Sequence, residues 1–229
     1  VLDVVFCAWI NESALTVEQK IELARSAIER YPNAWDVIAS KLPHGTSSIC
    51  STLNTPKYRR IDEPEELYAH EVNKTYIEYL RMCIDRAYTG ADRWIKILQH
   101  VKPYDINIQK EVFEKLVFIC KKMNDEEKIR IKNEIRYEIF RHRYFEDADW
   151  SMPQEVLHEY ECVMNKIVVG EKIYDYLYIF SHVYDFPLLN PIPYSKEENT
   201  EIHNQNYILR EEEINARIKK FKEKGYSID

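Results

Sequence analysis

Glycine limits this chain more than any other residue. Only four occur in 229 residues, Gly45, Gly90, Gly170 and Gly225, against an average usage of about 7%. A GxGxxG dinucleotide loop, a GxxxxGK[ST] phosphate loop and a GxSxG nucleophile elbow each need paired glycines, so that backbone can approach ligand or helix closely. None can be built here. Folds rich in tight β-turns are disfavoured on the same ground, because their left-handed positions fall mainly to glycine. The apolar fraction of 45% still supplies a sizeable core, enough for one large domain or two small ones.

Apolar spacings of three and four run from end to end and predict an all-α chain. Thr16 and Gln19 have the spacing of a capping box, followed by Val17, Ile21, Ala24, Ile28 and Tyr31 on one face, and Pro32 stops that helix. A short helix is expected from Ala34 to Leu42. Residues 44–64 are Ser/Thr-rich without a clear period and read as a long exposed loop. A long helix follows over about 65–88, with Tyr68, Val72, Tyr76, Leu80, Cys83 and Ala87 stacked along one stripe and Gly90 as punctuation. Trp94, Leu98 and Val101 mark the next helix. Val112, Phe113, Leu116, Val117 and Cys120 mark another. Asn124 and Glu127 resemble a cap for a helix carrying Ile131, Ile135, Ile139 and Phe140. Ser151 and Gln154 give a second capping box, with Pro153 in the first turn and Val156, Tyr160, Val163 and Ile167 buried. Ile173, Leu177, Phe180 and Tyr184 continue the pattern.

The expected organisation is a helical repeat-like domain over 1–186, a proline-containing linker over 187–206, and a last helix over 207–229. In that helix Glu211 to Glu213 precede Lys219, Lys220, Lys222 and Lys224, an order that suits the helix dipole. Two short Trp-led helices, at Ala34-Trp35 and Arg93-Trp94, each follow a longer one. This faint self-similarity suggests an irregular antiparallel array of the α-solenoid kind, with a large helical bundle as the alternative.

The net charge of −7 argues against whole-surface attraction to nucleic acid or anionic membrane. Basic side chains cluster only locally, at Lys57 to Arg60 and Arg217 to Lys224. No apolar stretch approaches the roughly 18 residues of a membrane span. The five cysteines are widely spaced without a CxxC, so neither a disulfide framework nor a zinc knuckle is expected and the reducing cytoplasm is the default compartment. The chain opens on Val1 without an initiating Met, as an internal piece of something longer would.

Metal and catalytic motifs are near misses. His70-Glu71 and His158-Glu159 begin like HExxH, but Lys74 and Cys162 stand where zinc needs the second imidazole. Each reads as a surface or half-buried helical pair, and neither a metal nor a cofactor is expected. Glu126-Glu127-Lys128 has the spacing of a restriction-type nuclease but opens a helix instead of lying on a strand. The Tyr-rich run from Tyr174 to Phe186 lacks the interleaved Lys and Arg of a base-stacking platform and reads as core.

The segment 141–150, RHRYFEDADW, is the densest cluster of charge in the chain. Arg141 to Arg143 oppose the negative end of the preceding helix. Asp147 or Asp149 is expected to hold the turn through backbone N–H groups, while Trp150 plugs the seam between helices. The Lys57-Tyr58-Arg59-Arg60 loop is the best candidate for partner contact, since loops carry function more often than helices.

Two resemblances follow from these residues. An Arg followed at short distance by His, as in Arg136 with His142 or Arg93 with His100, is similar to the motif of HEPN ribonucleases, all-α proteins that cleave RNA at a dimer interface. Tyr137 and Trp94 replace that family's polar residue after Arg. The run RHRYFEDADWSMP, from Arg141 to Pro153, resembles a recurrent segment in the helical C-terminal region of large bacterial anti-phage defence proteins, often associated with a STAND-type NTPase. The familiar form reads approximately RHRxFPDADWALP; this chain has Glu146 for Pro and Ser151-Met152 for Ala-Leu. The Pro56-to-Arg60 loop and the Asp92-Arg93-Trp94 helix start are compatible with it. The second resemblance implies a non-enzymatic scaffold or sensor whose partner is a phage or host protein or another domain of the same chain, with effector chemistry elsewhere. A ribonuclease using Arg136 and His142 is the alternative, and a nucleic-acid-binding helical repeat the third reading.

Overall fold

The computed structural model describes residues 5–9, 15–43, 67–170, 188–197 and 199–225. All regular structure among them is helical. The chain separates into two compact units, one formed by residues 1–88 and 92–112 and the other by 89–91 and 113–229. The expected boundary at 186 lies outside the described residues.

In the first unit, α1 (Val17–Arg30) begins at the expected capping box. Thr16 Oγ1 accepts from Gln19 N–H, and Gln19 Oε1 accepts from Thr16 N–H at 3.0 Å. It ends at Tyr31, whose extended backbone (φ −126°, ψ 114°) is what the following Pro32 requires. The short α2 (Ala34–Ala39) places Trp35 against α3 (Ala69–Ala87), and α1 packs on both. Along the outer edge Arg25 meets Glu78, and Lys74 meets Glu18 at 2.7 Å.

Two features of α3 depart from expectation. Leu80, Cys83 and Ala87 of the expected stripe are buried, together with Thr75, Tyr79, Met82 and Ile84, whereas Tyr68 is exposed and Val72 and Tyr76 are half-buried. Spacing alone puts Tyr68, Val72 and Tyr76 in the core, but burial there follows the side on which α1 and α2 lie. The break after α3 is also not made by Gly90. The left-handed residue is Tyr88, at φ 48°, and its carbonyl accepts from Trp94 Nε1 at 2.8 Å.

Trp94 belongs to α4 (Ala91–Leu98). Both tryptophans of the Trp-led helices are buried, and Trp35 Nε1 donates to Cys83 O at 3.0 Å. Arg93 and Lys96 lie over the face of the Trp35 ring, 4.9 and 5.8 Å from its centroid. The helix α5 (Ile106–Cys120) buries Val112, Phe113, Leu116 and Cys120, as the periodicity predicts.

The second unit is built on α6 (Asp125–Tyr144) and α7 (Gln154–Lys166). Asn124 Oδ1 accepts from Glu127 N–H at 2.8 Å, the expected cap, and Ile131, Ile135 and Ile139 are fully buried. The two helices run antiparallel: Asp125, opening α6, accepts from Gly170 N–H beyond the end of α7, while Arg143 near the end of α6 reaches Gln154 at the start of α7. Phe113 meets Tyr160 edge to face at 4.8 Å.

The last helix, α8 (Asn199–Glu223), starts well before Tyr207. Glu211 to Glu213 therefore sit in mid-helix instead of the first turn, and only the basic end retains its dipole role, through Lys220 and Lys222. Residues 199–206, expected as linker, are helical. The segment before them is also fixed: Ile192 N–H donates to Asn206 Oδ1 at 2.8 Å, Ile192 O accepts from Asn206 Nδ2 at 2.9 Å, and Tyr194 N–H donates to Tyr144 O at 2.7 Å. Leu188 packs with Phe140, Leu209 and Ile214.

Ile135, with no exposed surface, tests the core: Ile135→Ala is expected to lower stability by about 2–5 kcal/mol. Leu23→Ala, at a position 42% exposed, should change it by less than about 0.5 kcal/mol. Urea unfolding followed by far-UV circular dichroism measures both.

Candidate functional site

The segment from Arg141 to Pro153 is the turn between α6 and α7, and its side chains divide sharply by role. His142 is 2% exposed. Its Nδ1 accepts from Met152 N–H at 3.1 Å, which leaves the ring hydrogen on Nε2, 3.4 Å from Glu138 Oε2. Ser151 Oγ donates to His142 O at 2.7 Å. Two bonds from one residue therefore fold the turn back onto the end of α6.

This arrangement corrects two expectations. Ser151 and Gln154 form no capping box: α7 starts after Pro153 without a side-chain cap, Ser151 turns to the His142 carbonyl, and Gln154 Oε1 accepts from Arg143 Nε at 3.3 Å. Asp147 and Asp149 do not hold the turn either. Both are exposed, and the turn closes through Ala148 N–H to Phe145 O and Ser151 N–H to Ala148 O. A buried imidazole outcompetes an exposed carboxylate here because the Met152 amide it satisfies is itself out of reach of water.

Arg143 is the junction of the site. Its Nη1 donates to Leu189 O at 2.7 Å, Glu161 Oε1 at 2.8 Å and Asn190 Oδ1 at 2.9 Å. The side chain is only 14% exposed, so its N–H donors rely on these partners and little on water. Arg141 does something different: its guanidinium lies over the Trp150 ring, 4.7 Å from the centroid. Trp150 also meets His142 and Phe145, at 5.4 and 5.7 Å between centroids. These contacts place Trp150 against the end of α6 and the turn itself. Tyr194 and Tyr144 complete the aromatic group around Phe145.

Arg136 and His142 share α6, and their spacing sets them on the order of 120° apart around the helix. Both are buried, and the two ring nitrogens of His142 face Met152 N–H and Glu138. This geometry brings no pair of free catalytic atoms to a surface. Arg93 donates to Arg86 O at 2.5 Å, and His100 Nδ1 lies 3.2 Å from Pro43 O. Lys57, Tyr58, Arg59 and Arg60 lie outside the described residues, as do Cys50 and the run from Tyr174 to Phe186.

Glu71 of the first near-HExxH accepts from Tyr68 N–H at 2.9 Å and so starts α3. Glu127 of the Glu126-Glu127-Lys128 run accepts from Ala91 N–H at 2.5 Å. No group of three or more His, Cys, Asp or Glu side chains among the described residues is placed to hold a metal ion. Burial pushes the Cys83 and Cys120 thiols up to about 12 and about 11, which removes both as nucleophiles at neutral pH. No helix of the described residues is long and apolar enough to cross a membrane.

Sequence reasoning missed Glu161, Leu189 and Asn190 as partners of Arg143. None carries a local signal, because each meets the guanidinium only after α6 and α7 pair. Comparison with protein-family models, curated proteins and solved structures returns no match in any of the three.

The division of roles has a measurable consequence. Arg143→Ala is expected to cost about 2–3 kcal/mol, since it orphans a buried carbonyl and a paired carboxylate. Arg143→Lys should recover less than half of that, because one ammonium cannot reproduce the planar fork. Asp147→Asn and Asp149→Asn should each stay within about 0.5 kcal/mol, all by thermal and urea denaturation.

Proposed function

We propose that this chain is a non-enzymatic helical scaffold or sensor that recognises a protein partner, as part of a larger bacterial defence-type protein. The observation that carries this reading is the split within residues 141–153. His142 and Arg143 face inward and fix the turn, while Arg141, Phe145 (38% exposed), Glu146, Asp147 and Asp149 lie at its surface. An aromatic ring with polar neighbours, mounted on a rigid support, is the composition of a protein-recognition surface. Further support comes from groups that catalysis would need: His142 of the Arg136–His142 pair and Glu127 of the Glu126-Glu127-Lys128 run both bond within the fold. Lys57, Tyr58, Arg59 and Arg60 remain the first proposed contact, on their charge and the loop that the sequence predicts there.

The test is capture with the full chain as bait from phage-infected and uninfected bacterial lysates, with RNA assayed in the same eluate. A phage or host protein retained without RNA is expected. Charge reversal at Arg59 and Arg60, or Phe145→Ala, should weaken that capture about tenfold. Degraded RNA, or RNA whose retention falls steeply with salt, with no protein partner would overturn the scaffold reading and bring Arg136 and His142 forward.

A further inference from the structure

One cluster on α7 touches the turn described above only through Glu161, the partner of Arg143. His158, Glu161 and Cys162 stand at helical spacings of three and four and so share a face. Cys162 Sγ lies 3.7 Å from His158 Nε2. The other ring nitrogen, Nδ1, lies 3.6 Å from Glu161 Oε2. A carboxylate beside Nδ1 favours the tautomer with its hydrogen there, which leaves the Nε2 lone pair toward the thiol. Glu161 does not swing freely, because its Oε1 accepts from Arg143, and Arg143 is anchored in turn by Leu189 O and Asn190 Oδ1. The orienting carboxylate is therefore held from outside the cluster.

Access is the second requirement, and it is met. The His158 side chain is 71% exposed, and Cys162 is half-buried. A thiol with a base in reach, and a third group orienting that base, is the arrangement that activates a sulfur nucleophile. The near-HExxH spacing that fails for zinc places these groups together, with sulfur where the second imidazole would stand.

We propose that Cys162 is a thiol-modification site that exchanges with low-molecular-weight disulfides, with His158 as the proton acceptor. The Sγ–H proton passes to His158 Nε2, and the thiolate attacks one sulfur of the disulfide. The S–S bond of the reagent breaks as the bond to Cys162 forms. The departing thiolate takes the proton back from the imidazolium and leaves as a thiol. One protein thiol and one disulfide become one mixed disulfide and one small thiol, and no other oxidant enters. Cys83 and Cys120 offer the internal contrast, since both are buried and carry raised thiols.

The experiment treats the native full chain with an aromatic disulfide that releases a coloured thiolate, then with oxidised glutathione, and locates the adducts by peptide mass mapping. Cys162 should carry the adduct of the fastest phase, and Cys162→Ser should abolish that phase. His158→Ala should slow it by about 10- to 100-fold. His158→Gln, which fills similar space without a base, should be equally slow and guards against a folding defect, checked by far-UV circular dichroism. A fast phase that persists in Cys162→Ser, or wild-type rates in both His158 variants, would overturn the proposal.

Discussion

The guanidinium of Arg143 is the constraint on which the second unit depends. The segment it holds, 188–197, contains Pro191 and Pro193, and a residue without an N–H can enter neither a helix interior nor a strand ladder. The polar groups of such a segment must find partners elsewhere. They do so one by one: Leu189 O and the Asn190 side chain on Arg143, both Ile192 backbone groups on Asn206, and Tyr194 N–H on the α6 carbonyl of Tyr144. Arg143 joins this segment to both helices, because Gln154 and Glu161 share its other contacts. A planar donor with several directed N–H groups suits that junction, and its burial makes the Glu161 carboxylate obligatory as counter-charge.

The first unit solves a related problem with indoles. The end of α3 leaves carbonyls that no helical N–H can reach. Arg93 takes Arg86 O and Trp94 takes Tyr88 O, both from the helix that follows. The Asp92-Arg93-Trp94 start is thus a device for closing the preceding helix as much as for opening its own. It also lets a tyrosine occupy a left-handed backbone position without glycine, since the surrounding bonds hold Tyr88 in place. Not every buried polar atom is so well served. The hydroxyls of Tyr79 and Tyr160 make no hydrogen bond among the described residues, and burial pushes the pKa of both phenols up. Each is held in the core by the packing of its ring.

What could be read from the chain follows the range of the interactions. Helix existence and the caps at Thr16 and Asn124 are local, and Val17, Ile131, Ile135 and Ile139 fall on the buried faces that their spacing predicts. The same rules failed where a non-local partner intervened. Ser151 and Gln154 have the correct spacing for a capping box, yet His142 and Arg143 engage them from the previous helix. Tyr68 fits the apolar stripe of α3 but lies at its exposed start. The early onset of α8 was hidden by the polar run at 199–206, which lacks apolar periodicity and becomes ordered through Asn206. At the candidate site the central residues of 141–153 were legible as a cluster; the split between inward and outward side chains was not, because it depends on α7 lying antiparallel to α6.

A site that performs chemistry needs reactive atoms that remain accessible after the fold has satisfied its own requirements. Around the α6–α7 turn those requirements are heavy. Scarce glycine leaves reversals to be made by side chains, so His142, Arg143, Ser151 and Trp150 become architectural. Outward groups on the same turn meet no such demand, and that freedom is the ground on which recognition is proposed for this surface. Cys162 and His158 differ because their geometry arises within a single helix. Local spacing alone brings sulfur to imidazole, and the tertiary structure adds only the fixed carboxylate. A reactive group of that kind can coexist with a scaffold role, since its function takes nothing away from the bonds that hold the helices together.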